Sequence, residues 1–298
     1  MRWSFSAHGT FRRCPRQWFF RQVYANSRAN DPTRREAYRL SKLESIPAWR
    51  GKLVDTIISE TIIPSISLKQ PCNASEVKQK ADDLFTLQRA ERTMPNAAVS
   101  FFEVEYGLPL TEEIFDQALT DVRTALDNFF EAEQVWQIIE KADAIIPQRA
   151  LSFKHGDTSV MVVPDLITFQ SNESPYVLDW KVNRYPMRDY WLQLVTGAIA
   201  ITKCNPHRDW PSGCTLYDPN QVKLYEIQLL SGDVRLHNAS EYDIHEAQDF
   251  ISISATEMSL AVDGNDPKNP LPKDYQAASE PRTCQMCSYR KLCWEGDE

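Results

Sequence analysis

Glycine and long apolar runs are both scarce in this sequence, and each scarcity excludes a class of protein. Only nine glycines occur among 298 residues, and none stands in the G-x-x-x-x-G-K-[ST] pattern that cradles a nucleotide phosphate. An ATP-driven motor within this chain is therefore not expected. No apolar run approaches the roughly 20 residues that span a bilayer, and the N-terminus MRWSFSAHGTFRRC lacks the apolar stretch of a secretory signal. We expect a soluble, cytoplasmic protein.

Net positive charge is also lacking, although the charge is unevenly spread. The chain carries 33 Lys and Arg against 41 Asp and Glu, a net charge of -8, which by itself argues against a nucleic-acid partner. The first 50 residues, however, hold 11 basic and 3 acidic side chains. An acidic body with a basic N-terminal segment is the expected result. The hydrophobic content of 42% is sufficient for a buried core and excludes disorder.

The cysteines do not form the even set that a disulfide framework needs. There are seven of them, and no export signal precedes them. Three crowd into TCQMCSYRKLC as C-x2-C-x5-C, which comprises Cys284, Cys287 and Cys293. Thiolates grouped in this way hold a metal ion or an iron–sulfur cluster, and both take four ligands. A fourth ligand must therefore come from elsewhere in the chain.

Hydrophobic periodicity predicts helices in the first half of the chain. The opening segment predicts a Ser-capped helix interrupted at Cys14-Pro15, residues 25–45 are expected to form a loop, and a helix is expected from Trp49 to Ile63. Residues 64–147 are mostly helical in pattern, with SFFEVEY as a candidate short strand. This stretch predicts a helical insertion.

The middle of the chain changes to the period of β-strands. The runs ALSFKH, TSVMVVPDLITF and YVLDWKV predict an antiparallel meander. A helix, MRDYWLQLVTGAIAITKC, follows, and then two further strand candidates, SGCTLYD and QVKLYEIQLL. The last predicted helix runs from about Ser240 to Val262. The overall expectation is an α/β fold with a mixed central sheet of about five strands flanked by helices.

Acidic residues stand in two of the predicted strands. Asp165 follows Pro164, and Asp179-Trp180-Lys181 lies in the next strand, where the period of two places Asp179 and Lys181 on one face. Carboxylates suit Mg²⁺ or Mn²⁺, which can present a water to a phosphodiester, and Lys181 can position that water or stabilise phosphate charge. The alternative is a solvated ion pair. Apolar flanks favour the catalytic interpretation, because an isolated carboxylate in a core strand is costly.

An amide on the following helix could reach the same place. Gln193 lies 12 positions after Lys181 and begins a Q-x-x-x-G pattern on a helix expected to pack beside the strand. An exposed helical glutamine is the alternative.

The order of these motifs resembles a known family. The elements C-P, G-x-x-x-[H/D], P-D, D-x-K, Q-x-x-x-[Y/G] and C-x2-C-x5-C occur in one order, and together they resemble the RecB-like branch of the PD-(D/E)XK nuclease superfamily with an iron–sulfur cluster. Members of that branch include the RecB and AddB nuclease domains, exonuclease V and the small nucleases of CRISPR adaptation. The resemblance implies a restriction-endonuclease-like core and a prokaryotic or phage origin. Residues 64–147 carry none of its motifs.

The resemblance implies a ligand set for two kinds of metal group. Cys14, Cys284, Cys287 and Cys293 would hold a [4Fe-4S] cluster that joins the N-terminal and C-terminal segments, with tetrahedral Zn²⁺ as the alternative. Cys72, Cys204 and Cys214 are then small buried residues. Asp165 and Asp179 would bind Mg²⁺ or Mn²⁺, with the carbonyl of Trp180 or Val182 completing the shell, while Lys181 and Gln193 assist the water.

One motif departs from the family. In Gly51-Lys52-Leu53-Val54-Asp55 an aspartate stands where a metal-binding histidine is usual. Asp55 is expected to be the third metal ligand, since a carboxylate binds Mg²⁺, and an unrelated surface aspartate is the alternative.

The basic N-terminal segment and the residues after Lys181 are the expected DNA contacts. Basic side chains can follow a phosphate backbone while aromatic rings stack on unpaired bases. The candidates are Arg12, Arg13, Arg16, Trp18, Arg184 and Tyr185. No base-reading helix is evident, so little sequence specificity is expected.

These observations predict four regions and one function. The regions are 1–63, a basic segment with the first core helices; 64–147, a helical insertion; 148–263, the nuclease core; and 264–298, the cysteine tail. The expected function is metal-dependent hydrolysis of DNA, from single-stranded or frayed ends, in repair, recombination or defence, with a helicase or CRISPR-type protein as a candidate partner. The alternatives are an inactive nucleic-acid-binding or structural subunit of a larger helicase-nuclease or CRISPR adaptation complex, a zinc-stapled interaction protein, and a redox enzyme. The last is disfavoured because all four clustered cysteines serve as ligands.

Overall fold

A computed structural model describes residues 2–94, 97–171, 173–183, 190–211, 218–263 and 271–295. Its strands are Arg2–Trp3 (β1), Ala144–Pro147 (β2), Leu151–His155 (β3), Thr158–Val162 (β4), Leu166–Phe169 (β5), Tyr176–Lys181 (β6), Lys223–Gln228 (β7) and Asp233–His237 (β8). Its α-helices are Phe5–Arg13 (α1), Pro15–Phe19 (α2), Pro32–Leu40 (α3), Ile46–Ile57 (α4), Ile63–Ser67 (α5), Ala74–Thr93 (α6), Phe102–Glu105 (α7), Glu112–Glu131 (α8), Glu133–Glu140 (α9), Tyr190–Lys203 (α10), Glu241–Asp263 (α11), Pro281–Gln285 (α12) and Arg290–Glu295 (α13). Two π-helical turns, Phe20–Tyr24 and Ile58–Ile62, continue α2 and α4.

The strands form two sheets. The central sheet has the order β2-β5-β6-β7-β8, in which only β6 and β7 are parallel. A smaller sheet has the order β1-β4-β3. This mixed α/β architecture is compatible with the restriction-endonuclease-like core expected from the sequence.

The central sheet separates two apolar cores. Side chains alternate between the two faces of β6. Val177 packs in the core that contains α1, α10 and α11. Leu178 and Trp180 pack in the core that contains α4, α6 and α8. The helical stretch that precedes the sheet therefore covers one of its faces, and α10 covers the other. Both faces of β6 are buried, which explains its nearly continuous apolar sequence.

The start of the chain folds as its sequence predicts. Ser4 caps α1 by accepting a hydrogen bond from the Ala7 amide at 3.2 Å. Cys14 then adopts an extended backbone, and Pro15 occupies the first turn of α2. The chain thus bends at Cys14-Pro15 and turns the Cys14 thiol toward the C-terminal segment.

Two predicted elements in the first half are wrong. Residues 25–45 include the helix α3, which begins at Pro32 after the capping residue Asp31. The helix is mostly polar, and only its Ala37 and Leu40 are buried, so its apolar pattern in the sequence is weak. The segment SFFEVEY is the short helix α7 rather than a strand. Its only sheet-like contact among the described residues is a bridge between Glu44 and Phe101.

Three further differences lie near the central sheet. The run TSVMVVPDLITF is not one strand, because β4 and β5 belong to different sheets and Asp165 stands in the break between them. The strand β8 was not expected, and the predicted partner strand SGCTLYD lies almost wholly in 212–217, outside the described residues. The predicted boundary between the helical insertion and the nuclease core, at residue 147, also separates β2 from the sheet to which it belongs.

A network of ion pairs holds the C-terminal segment against the helices. Arg39 of α3 lies 2.6 Å from Glu105 of α7 and 2.8 Å from Glu36. Lys291 of α13 lies 2.6 Å from each of the same two carboxylates. Four charges from three helices therefore fix the end of the chain. No helix in the described ranges is long and apolar enough to cross a membrane.

Candidate active site

The central feature of the site is a buried ion pair on β6. Asp179 is 2% exposed, and the Lys181 Nζ lies 2.5 Å from the Asp179 Oδ2. Both side chains face α10, because residues two apart on a strand share a face. A carboxylate this deeply buried needs a partner, and the predicted D-x-K spacing supplies it.

The amide of Gln193 joins both members of this pair. Its Nε2 donates a hydrogen bond to the Asp179 Oδ1 at 2.9 Å, and its Oε1 accepts one from the Lys181 Nζ at 3.4 Å. Gln193 stands on the first turn of the described part of α10, whose apolar face packs on β6. The helix therefore brings in an amide, which can donate to the carboxylate and accept from the ammonium at the same time.

Asp165 lies at the start of β5, directly beside β6. Its Oδ2 accepts a hydrogen bond from the backbone amide of Trp180 at 2.8 Å. Leu166 pairs with Leu178 in the antiparallel register of β5 and β6. The hairpin formed by β5 and β6 therefore places Asp165 next to the Asp179 strand, as the sequence predicts.

Asp55 approaches from the opposite side of the sheet, on α4. Its Oδ1 accepts a hydrogen bond from the Trp180 indole Nε1 at 3.0 Å, and its Oδ2 accepts one from the Gln148 side-chain amide. Helix α4 is held there by Arg50, which donates to the Val182 carbonyl at 2.6 Å. The aspartate of the G-x-x-x-D segment therefore lies at the D-x-K strand and not on an unrelated surface.

The electrostatics of the site favour a bound cation. Burial and the neighbouring charge of Asp179 raise the pKa of Asp165 well above its usual range. Burial also raises the pKa of Asp179, against the opposing effect of Lys181, and it raises the pKa of Asp55. Burial lowers the pKa of Lys181, but the charges of Asp179 and Asp165 outweigh this, so that its pKa is raised and it stays cationic.

The donor set suits a hard divalent ion, although the side chains do not converge on a single point. No three His, Cys, Asp or Glu side chains in the described ranges are arranged closely enough to hold one metal ion. The reason lies in the sheet: Asp179 faces α10, Asp55 meets the Trp180 side chain on the α4 side, and Asp165 stands between them. Carboxylate oxygens are nonetheless the donors that Mg²⁺ or Mn²⁺ prefers.

Comparison with known families now adds the identification. The model of the PD-(D/E)XK nuclease superfamily matches residues 2–294, almost the whole chain. The chain belongs to the PD-(D/E)XK nuclease superfamily. Members of this superfamily are phosphodiester hydrolases that typically use Mg²⁺ or Mn²⁺, and Asp165 follows Pro164 as the first letters of the motif require.

Solved structures resemble this nuclease only distantly. A crystal structure of an exonuclease candidate from Eubacterium rectale is 10% identical, with a TM-score of 0.42, over 86% of this chain and 79% of that one. The crystal structure of SSO0001 is 11% identical, with a TM-score of 0.30, over 65% of this chain and 79% of that one. Neither similarity is close enough to indicate a function. No curated protein matches the chain significantly.

Sequence reasoning missed a second polar group of this nuclease, on β7. Glu226 is 3% exposed and pairs in register with Asp179. Its carboxylate accepts a hydrogen bond from the Gln228 amide at 2.7 Å and lies 2.9 Å from the His237 Nε2. The sequence QVKLYEIQLL contained a pattern that could have indicated it, because Glu226 and Gln228 stand at alternate, inward positions of an apolar strand.

The four cysteines assigned to a cluster lie around one pocket, although no three of these described thiols are arranged closely enough to hold one metal ion. This pocket lies between α2 and the C-terminal helices. The residues are Cys14, Cys284, Cys287 and Cys293. Burial, together with the other three thiols, raises the pKa of Cys287 to about 12. Cys72 is half-buried and Cys204 is buried, and neither lines this pocket; Cys214 falls outside the described residues.

Hydrogen-bond donors surround the thiols of this cavity. The Gln17 amide donates to the Cys14 Sγ at 3.3 Å, and the Tyr289 amide donates to the Cys287 Sγ at 3.4 Å. The Arg16 guanidinium donates to the Cys293 Sγ at 3.5 Å. Donors of this kind stabilise thiolates and tune the clusters that thiolates hold.

The predicted DNA contacts divide into exposed and buried residues. Arg12 and Arg13 are exposed on α1. Arg16 instead donates to the Tyr275 carbonyl at 3.0 Å as well as to Cys293. The expectation for Trp18 is wrong, because it is 3% exposed and packs against Phe11 and Tyr275. Its aromatic ring belongs to the core. Arg184 and Tyr185 lie outside the described residues.

Proposed function

We propose that this chain is a metal-dependent deoxyribonuclease that degrades single-stranded or frayed DNA from an end. The observation that carries the proposal is the closed network in which Asp179, Lys181 and Gln193 contact one another beside Asp165. A buried, mutually bonded set of carboxylates, cation and amide is costly to a fold and is concentrated at catalytic sites.

The residues that would hold Mg²⁺ or Mn²⁺ are Asp55, Asp165 and Asp179. A bound divalent ion supplies an activated water and neutralises charge on the phosphate. The Val182 carbonyl already accepts a hydrogen bond from Arg50, so the Trp180 carbonyl is the better candidate for a backbone ligand. Burial raises the pKa of each of these carboxylates, and the charges of Asp179 and Asp55 raise the pKa of Asp165 further, so a cation among them would offset the cost of burying their charge.

The other two residues act without binding the metal. Lys181 is a cation, because nearby carboxylates raise its pKa, and its role is to stabilise negative charge that develops on the phosphate rather than to remove a proton. Its Nζ also lies 5.0 Å from the centroid of the Tyr190 ring. Gln193 holds Lys181 and Asp179 in their relative orientation.

A preference for DNA ends is proposed from the exposed basic residues of α1 and from the RecB-like order of motifs. Arg12 and Arg13 can follow a phosphate backbone without reading bases. The processes proposed are repair, recombination or defence, with a helicase or CRISPR-type partner that delivers ends. A binding or structural subunit without activity is the competing outcome of the test.

The deciding experiment is digestion of end-labelled single-stranded and duplex DNA with Mg²⁺, Mn²⁺ or EDTA, beside circular single-stranded DNA that has no end. We expect metal-dependent loss of the linear single strand and survival of the circle. Asp165→Asn and Lys181→Met should abolish cleavage, whereas Lys223→Met, the same change at a half-exposed position of the adjacent strand, should not. Equal activity of wild type and Asp165→Asn would reject the enzyme, and cutting of the circle would reject the end requirement.

We also propose that the four cysteines of the cavity hold a [4Fe-4S] cluster. The proposal rests on the RecB-like order of the motifs and on the four cysteines that line one pocket, and a tetrahedral Zn²⁺ is the alternative. Bound iron and acid-labile sulfide in anaerobically purified protein, with visible absorbance, are the expected results. Cys14→Ser should lose iron and the matched Cys72→Ser should retain it. Colourless protein with bound zinc would reject the cluster.

A further inference from the structure

Gln148 has a backbone conformation that its place in the fold does not explain. Its φ angle is +46°, in the left-handed region that favours glycine. Among the described residues only one other non-glycine, Lys69, shares this feature, with φ of +54°. Lys69 follows helix α5 and donates its amide to the Ile66 carbonyl at 2.9 Å, which is an ordinary helix end. Gln148 follows a strand, β2.

The contacts of Gln148 lead to two candidate metal ligands at once. Its backbone amide donates to the Asp165 carbonyl at 3.0 Å. Its side-chain amide donates to the Asp55 Oδ2. One strained residue therefore joins α4 to the start of β5, although Asp55 and Gln148 are 93 positions apart.

The side chain of Gln148 has no part in the apolar core. The side chain is exposed. Its hydrogen bond to Asp55 is the one that it forms in the described structure. Backbone strain that supports no packing is typical of functional sites. The left-handed φ angle directs the backbone amide at Asp165 while the side chain reaches Asp55.

We propose that Gln148 is a positioning residue that orients Asp55 for a divalent cation. This inference rests on the proposed metal-dependent function. Gln148 and the Trp180 indole each donate to a different oxygen of Asp55, so the carboxylate cannot rotate freely. Each carboxylate oxygen can accept more than one bond, and the remaining lone pairs stay directed at the site. An aspartate is shorter than the histidine usual in this motif, and fixed orientation compensates for its shorter reach.

The test compares Gln148→Gly with Lys69→Gly in the full chain. Both changes relieve the same backbone conformation, and only the first removes a bond to Asp55. Mn²⁺ binding is measured by calorimetry, folding by thermal unfolding in EDTA, and cleavage as a function of Mn²⁺ concentration. We expect both variants to melt at or above the wild-type temperature. Gln148→Gly should weaken Mn²⁺ binding by about 10- to 100-fold and recover cleavage at high Mn²⁺, whereas Lys69→Gly should match wild type.

A second variant keeps the proposal testable if glycine disturbs the loop. Gln148→Met keeps about the length of the side chain but removes the donor without adding a charge, so Mn²⁺ binding should again weaken. Wild-type Mn²⁺ affinity in both Gln148 variants would overturn the role assigned to Gln148 while leaving the nuclease proposal intact. Wild-type protein that neither binds Mn²⁺ nor cleaves DNA would overturn the proposed function itself.

Discussion

The charge balance at Asp179 leads to a quantitative prediction for the metal-free protein. The change is Lys181→Met, which keeps the apolar stem and removes the cation 2.5 Å from a carboxylate that is 2% exposed. Breaking a buried ion pair by removal of one partner costs about 3–5 kcal/mol. With an unfolding entropy of about 2.1 cal/mol/K per residue over 298 residues, this corresponds to a fall in Tm of roughly 5–8 °C.

The assay is thermal and urea unfolding in EDTA, arranged as a double-mutant cycle. Asp179→Asn alone should also destabilise, because it leaves Lys181 without its closest anion. The double variant Asp179→Asn with Lys181→Met should recover most of the loss, and the difference measures the coupling. Lys223→Met is the control, since Lys223 forms a half-exposed pair with Glu173 that is worth about 0–1 kcal/mol.

Two results would refute this reasoning. The first is a Lys181→Met protein as stable as the Lys223→Met control, and the second is a coupling near zero. Added Mn²⁺ should also reduce the loss of stability of Lys181→Met relative to wild type, because the ion replaces the lost positive charge beside Asp179.

Three further predictions concern other parts of the molecule. The pKa of Glu36 is lowered to about 2, first by a side-chain hydrogen bond from Arg39. Its contribution to the free energy of unfolding is therefore complete above about pH 4.5 and is lost as the pH falls toward 2. In urea unfolding, the stability that Glu36→Gln loses relative to wild type should vanish over that pH range. Arg50→Met removes the buried cation that pairs with Asp121 and donates to the Val182 carbonyl, so it should destabilise the protein in urea unfolding by up to about 3–5 kcal/mol, and an unchanged midpoint would contradict this. Trp180→Phe removes the second donor to Asp55 and should weaken Mn²⁺ binding about 10-fold in calorimetry without loss of fold.

Local patterns predicted much of the candidate site. The positions of Asp179 and Lys181 on one face follow from the period of a strand, and the break at Cys14-Pro15 follows from the chemistry of proline. The apolar spacing of the long helices also predicted their existence. Each of these results depends on residues within a few positions of one another, where sequence and geometry are directly linked.

Elsewhere the local signal was weak or misleading. The helix α3 is polar and arginine-rich, and it gains stability from the ion pair between Arg39 and Glu105 of a distant helix, which no local pattern reports. The continuous apolar run around Asp165 conceals a change from one sheet to the other. Trp18 stands among arginines in the sequence, yet its ring is buried between neighbouring elements.

The sequence by itself determined the chemistry available to this protein: carboxylates and a lysine on one strand, a cysteine cluster near its end, and a basic N-terminal segment on an acidic body. Only the tertiary structure decided which of these groups meet. The approach of Asp55 to Gln148, of Cys14 to Cys293 and of Asp179 to Glu226 depends on sheet order and helix packing between residues far apart in the chain. Such contacts follow from the burial of two apolar cores against one sheet, and no short pattern encodes that arrangement.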